Sequence, residues 1–270
     1  MLNLFRADIY RIIRGKALYI TLAVLLAFNL LMIITLNIFQ TGVVDLGYDD
    51  ELAAAAMAEI QAMSLDGVRV PEILTGNMEN LVFFLLPLII IVAAVIFSHG
   101  TVKNDIAWGL SRTKLYMSKL LLSFAFSFLL LLAYIGTGML VATMLNGFGA
   151  PAPDGHWVNL LQVLGAQLFM LLAMVSIGVF LVFTTKRVAA VNGIFIAFIL
   201  VPALVIALLE LANPDLSWLY DFDMTYNINR LANLRYLETR EILQALGLGM
   251  FYLLATTIGG MVLFRRAEIK

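Results

Sequence analysis

The chain has 270 residues, of which 62% are hydrophobic and only 13% charged, and its mean hydropathy is +0.97. A water-soluble globular chain is about half apolar and about a quarter charged. This composition therefore excludes a soluble domain and points to an integral membrane protein. At ~20 apolar residues per crossing, the length allows six or seven spans and no soluble catalytic domain beside them. The absence of cysteine excludes disulfides, thiolate nucleophiles and Cys-ligated zinc or iron–sulfur sites. His99 and His156 lie far apart in the sequence, so no metal site is expected.

The first element is MLNLFRADIYRIIRGK, residues 1–16. At about 100° per residue, Leu2, Phe5, Ile9, Ile12 and Ile13 share one arc. Arg11 and Arg14 lie opposite, and Arg6 sits near the apolar edge. This pattern predicts an amphipathic helix in the membrane interface, its basic face toward anionic headgroups. The plainer alternative is a positively charged flank to the first span. Gly15 permits a bend before Lys16. The basic groups and the lack of a short apolar core argue against a cleavable signal peptide.

Charge-free stretches then predict six helical spans, at about 17–38, 80–98, 120–145, 159–184, 188–209 and 242–264, each long enough to cross ~30 Å of hydrocarbon. The expected fold is one all-α membrane domain with both termini on the same side. Pro87 and Pro202 are candidate kinks. Gly136 and Gly138, Gly247 and Gly249, and Gly259 and Gly260 permit close helix approach. Between the first two spans, residues 39–79 form a long acidic loop, with a helix expected over Asp49–Met63. Pro151, Pro153 and Gly155 mark a short second loop. Lys186 and Arg187 make a tight hairpin. In residues 210–241, Asn213, Pro214 and Asp215 mark a turn, and Asn227–Gln244 is compatible with a helix.

Basic residues set the expected orientation. Arg6, Arg11, Arg14, Lys16, Lys103, Arg112, Lys114, Lys119, Lys186, Arg187, Arg265, Arg266 and Lys270 fall on one side, and Arg69, Arg230, Arg235 and Arg240 on the other. Of the acidic residues, only Asp8, Asp105 and Glu268 join the basic side. Both termini are therefore expected to be cytoplasmic, in a bacterial cytoplasmic membrane.

No ionisable residue occupies the middle of any span, which argues against a proton-coupled transporter and an intramembrane metalloprotease. The uncharged polar residues Asn29, Gln162, Gln167, Ser176 and Asn192 either tie helices together or, with Asn29, Gln162, Gln167 and Asn192 as the candidates, line a path. The chain has no Gly-Lys-Ser/Thr phosphate-binding loop and no Gly-x-Ser-x-Gly nucleophile elbow. It is not expected to be an enzyme, to hold a cofactor, or to bind nucleic acid.

The loop over residues 99–119, within SHGTVKNDIAWGLSRTKLYMSKLL, is richer in specific polar residues than a plain connection needs. Val102–Gly109 predicts a short helix, with Thr101 as its cap and Gly109 at its C-terminal end. Ser111 caps a second helix running into the third span. This loop and the opening NLFRADIYRIIRGKALYITL resemble the ABC transporter type-2 permease family, in particular the small six-span bacterial permeases of peptide and antibiotic-resistance exporters. The resemblance implies that the N-terminal segment is an elbow helix, with Arg6, Arg11, Arg14 and Lys16 as its basic groups. It also implies that the loop after span two contacts a separate ABC ATPase subunit. Lys103, Asn104, Asp105, Ile106, Trp108, Gly109, Ser111 and Arg112 are the candidate coupling residues: Lys103, Asp105 and Arg112 as polar contacts, Ile106 and Trp108 as apolar anchors. The implied partners are that ATPase, which would bind ATP and Mg, a second copy of the permease or a related one, and the lipid bilayer. The wall of Leu, Ile, Phe and Met in the spans, with few polar groups, suits a hydrophobic or amphipathic cargo: a peptide, antibiotic or lipid. The rival expectation is a non-transport membrane protein, a sensor partner or assembly factor, using the same loop.

Overall fold

The computed structural model describes residues 2–40, 64–98, 102, 106 and 109–267. The expected helix over Asp49–Met63, the Thr101 cap and most of the expected helix Val102–Gly109, and with them the candidates Lys103, Asn104, Asp105 and Trp108, lie outside the described residues. Among the described residues the ordered structure is helical. Six helices are long and apolar enough to cross a membrane. The chain is thus an all-helical, multi-pass membrane protein.

The first helix, α1 (Leu2–Arg14), ends at Gly15, and α2 (Lys16–Gln40) follows at once. Only Thr21, Leu25, Asn29 and Ile33 of α2 are buried. Their spacing of four is a single ridge, and it packs along α5 (Arg112–Asn146). The rest of α2 is apolar and exposed, with Leu31 at 63%. Such a face is untenable in water and ordinary against acyl chains.

Residues 64–78 fold onto the bundle instead of forming an open loop. Asp66 Oδ1 accepts from the N–H groups of Val68 and Arg69 at 3.0 and 2.9 Å, an Asx-type turn. Val68 N–H then donates to the Phe148 carbonyl at 3.1 Å, and Asn146 Nδ2 donates to the Leu65 carbonyl at 2.7 Å. The short helix α3 (Val70–Gly76) buries Val70, Pro71, Leu74 and Thr75.

The second span starts as α4 (Glu79–Ile89), which contains Pro87. A five-residue π turn, Ile90–Ala94, follows and leads into a last helical turn, Val95–Ser98. The proline removes one backbone donor, and the ladder shifts register directly after it. The sequence predicted a kink here; the shift to π geometry was not anticipated.

Helix α6 (His156–Thr185) is the central one. Residues Ala173–Val179 are buried without interruption, as expected of a helix surrounded on all sides. Helix α7 (Val188–Ala212) is peripheral: it buries Val191, Phe195, Ile199 and Ile206 only. The last helix, α9 (Thr239–Arg266), shares its longest face with α6; Gly249 lets it approach α6, and Gly260 lets it approach α5. A methyl group at Gly260 would collide with the Tyr116 ring, and one at Gly249 would meet Met170 Sδ.

The stretch Asn227–Gln244 is not one helix, which corrects the expectation. Residues Pro214–Phe222 form a 3-10 segment, α8 spans Met224–Arg230, and Leu231–Asn233 is a further 3-10 turn before α9. Two start signals account for the break. Asp223 Oδ1 accepts from the N–H groups of Thr225 and Tyr226 at 2.7 and 3.3 Å. Glu238 and Glu241 form a reciprocal capping box at the start of α9. Met224, Asn227, Ile228 and Leu231 are buried in the bundle.

Candidate functional site

The structure gathers three separate parts of the sequence at the end of the bundle that carries the termini. Helix α1 faces the bundle with Asp8 and Ile12, both buried, and turns Ile9, Tyr10 and Ile13 outward. The predicted apolar arc therefore splits: Ile12 packs into the core while Ile9 and Ile13 face away. Asp8 was not expected to matter. Its carboxylate accepts from Lys119 Nζ at 2.7 Å, and the two side chains are 6% and 1% exposed. Arg11 forms an ion pair with the same carboxylate at 3.2 Å. An acidic residue flanked by basic ones on an amphipathic helix was the sequence signal for such a partner. Removing two charges from water costs several kcal/mol per ion, so the pair holds only as a matched unit.

The second link is Arg112. Its Nη1 donates to the carbonyls of Arg265 and Ala267 at 2.8 and 2.6 Å. These are the carbonyls that the end of α9 leaves without helical partners, so the guanidinium serves as its C-cap. Arg112, a candidate polar contact for a partner, is thus engaged within the chain. Ser111 Oγ accepts from Lys114 N–H at 3.3 Å, and the cap at the start of α5 forms as the sequence implies. Gly109 has φ +85°, a conformation an L side chain resists, and its N–H donates to the Ile106 carbonyl at 2.9 Å. Val102 is buried in the core and Ile106 packs partly against it, so one expected anchor turns at least in part toward the chain's own bundle.

Behind these links lies a ring cluster. Phe183 meets Phe97, Tyr116 and Phe264 edge-on at 5.3, 4.9 and 4.7 Å between centroids. Edge-to-face pairs contribute about 0.5–1.5 kcal/mol each beyond their burial. The four rings come from the second, third, fourth and sixth spans. The flanks of the 99–119 loop are therefore tied to α1 by an ion pair, to α9 by a cap and to the fourth and sixth spans by aromatic contacts.

The polar residues inside the spans divide. Asn29 Nδ2 donates to the Tyr134 carbonyl at 2.9 Å and to Thr137 Oγ1 at 2.7 Å, joining α2 to α5. Gln167 Nε2 donates to the carbonyls of Thr75 and Ile228 at 2.8 and 3.0 Å, clamping α3 and α8 onto α6. Ser176 and Thr256 share a hydrogen bond of 2.8 Å between α6 and α9. Gln162 is exposed, and Asn192 is half-buried on peripheral α7.

At the other end of the bundle lies a cavity of about 730 Å³, walled by residues of α3, α6, α8 and the turn before α9. Arg69, Arg230 and Arg235 all line it. Arg230 is bound to Asp221 at 2.9 Å and to Glu241. Burial pulls its pKa down, but the Glu241 and Asp221 carboxylates more than offset this and raise it. His156 Nδ1 lies 3.1 Å from Glu72. Nothing in the sequence singled this cavity out, because its walls come from four separate segments.

In comparisons with protein-family models, curated proteins and solved structures, nothing matches the chain.

Proposed function

We propose that the chain is the membrane-spanning permease subunit of an ATP-driven exporter, with the 99–119 loop as the contact for a separate ATPase. The observation that supports this reading is the linkage of the loop's flanks to α1, α9 and the ring cluster. A partner pressing on this loop moves the ends of several spans together. The absence of a phosphate-binding loop in the sequence assigns ATP and Mg to that partner. ATP binding there closes the ATPase pair, and two permease copies, or this chain and a related one, shift between inward- and outward-facing states. The shift requires that the ATPase contact differ in free energy between the two states.

In this reading both termini are cytoplasmic, following the basic residues. Helix α1 lies in the interface with Ile9, Tyr10 and Ile13 against acyl chains. The cargo is hydrophobic or amphipathic, a peptide, antibiotic or lipid, because no charged residue occupies the middle of a span.

Co-purification tests the assignment. The chain extracted in mild detergent retains an ATPase, and the variants Trp108→Ala and Lys103→Glu lose it while still inserting in the membrane. Wild-type ATPase recruitment and stimulation in both variants would remove the loop from the mechanism. Export without any ATPase, or retention of a signalling protein in place of one, would favour the non-transport reading.

A further inference from the structure

Outside the spans, the face opposite the termini is predominantly acidic, and its basic residues are Arg69, Arg230, Arg235 and Arg240. Three of these four line one cavity. Their remaining capacity differs. Arg230 is spoken for by Asp221 and Glu241. Arg69 has Glu72 at a loose 3.7 Å, and that carboxylate is also within 3.1 Å of His156. Arg235 donates one Nη2 bond to the Gly155 carbonyl at 2.7 Å and has no carboxylate partner among the described residues. Two half-used guanidinium forks therefore face one space, and such forks fit the paired oxygens of a phosphate or carboxylate. Its volume of about 730 Å³ suits a small-molecule group, for which pockets run about 300–1,000 Å³.

The depth of the cavity identifies the oxyanion. His156 is the first residue of α6 and Arg235 lies just ahead of α9, so the walls stand where the spans leave the hydrocarbon. Tyr226 and Tyr236 line it and are 42% and 88% exposed. Tyrosines at this level mark the headgroup zone of a bilayer. The oxyanion that a bilayer supplies at this depth is a lipid phosphate.

We propose that this cavity binds the phosphate-bearing head of an anionic phospholipid in the leaflet opposite the termini, with Arg69 and Arg235 as its ligands and Arg230 as a fixed part of the wall. The proposal is independent of the exporter reading and of which side of the membrane the termini occupy.

The full chain is reconstituted with phosphatidylglycerol, extracted with delipidating detergent, and the retained lipid is counted by native mass spectrometry. Wild type keeps phosphatidylglycerol. The double variant Arg69→Gln, Arg235→Gln retains about tenfold less or lower still, as expected for the loss of charge-assisted bonds. Because that variant also breaks the Gly155 bond, Asn233→Asp provides a second arm. Asn233 lines the cavity, its side chain has no hydrogen bond among the described residues, and the added carboxylate repels phosphate without removing a contact. It too retains less lipid, with an unchanged melting temperature. Equal retention in all three proteins would overturn the proposal. So would displacement of the lipid by millimolar inorganic phosphate, which would make the cavity a site for a free anion.

Discussion

Lys119 and Asp8 form a buried ion pair whose two halves depend on each other. The pair is sealed from solvent at 2.7 Å, so the loss of one member strands the other. Lys119→Met or Asp8→Leu alone is expected to cost about 3–5 kcal/mol, whereas the double change Asp8→Leu, Lys119→Met restores most of it. Thermal unfolding of the four proteins in one detergent measures the cycle, and additive losses would show that the two side chains do not interact. Glycine makes a second test at this scale. Gly260→Ala drives a methyl into Tyr116 and is expected to cost about 1–3 kcal/mol through overpacking. Gly136 has open space around it, so Gly136→Ala is expected to be neutral or slightly stabilising, by up to about 1 kcal/mol. Equal melting temperatures for the two variants would contradict the close approach of α9 to α5.

Helix α1 and the clamped segments α3 and α8 are the informative elements. The faces of α1 are distinct: Ile12 is 2% exposed, whereas Ile9 and Ile13 are 38% and 48% exposed. The cysteine-free chain permits single cysteines along residues 4–14. A lipid-phase label is expected to reach positions 9 and 13, a water-phase reagent position 14, and neither position 12. Uniform labelling by the water-phase reagent would mean that α1 is a solvated flank. Burial of aliphatic side chains contributes about 1.5–3 kcal/mol each against ~1 kcal/mol per basic group near an anionic surface. The double change Ile9→Asp, Ile12→Asp is therefore expected to damage the protein more than Arg11→Gln, Arg14→Gln. At the far end, a single amide holds two short helices. Gln167→Leu removes both bonds from Nε2 and leaves two buried carbonyls short of a donor, at about 1–3 kcal/mol each. Hydrogen exchange is expected to rise in 70–76 and 224–230 while α6 stays protected. Unchanged exchange in both segments would mean that other contacts hold them.

Across the whole molecule, burial falls from α6 at the centre to α2, α7 and α9 at the periphery. The peripheral helices bury one ridge each and leave wide apolar faces for lipid or for a neighbouring subunit. The two ends of the bundle differ in kind. The terminal end is stitched by an ion pair, a helix cap and an aromatic cluster. The opposite end holds a cavity walled by short helices and turns.

The sequence alone determined what one-dimensional pattern controls. Hydrocarbon imposes a length and an absence of charge, and every one of the six expected spans is a helix. The cap at Ser111 was also legible, because it rests on chemistry local to a few residues. Only the tertiary structure decided which residues meet across the bundle. Asp8 and Lys119 are 111 positions apart, and Arg112 and the carbonyl it caps at Ala267 are 155 apart. No local pattern records such a pairing. The same holds for Asn29 and Gln167. As polar groups inside spans they fitted either a path or a joint, and the structure adds that each amide nitrogen bridges to another element of the bundle. The break in Asn227–Gln244 went unread although its signal is local: Glu238 and Glu241 box the start of α9. The cavity was beyond the sequence for the plainest reason: its three arginines converge only after four segments have folded over the ends of the spans.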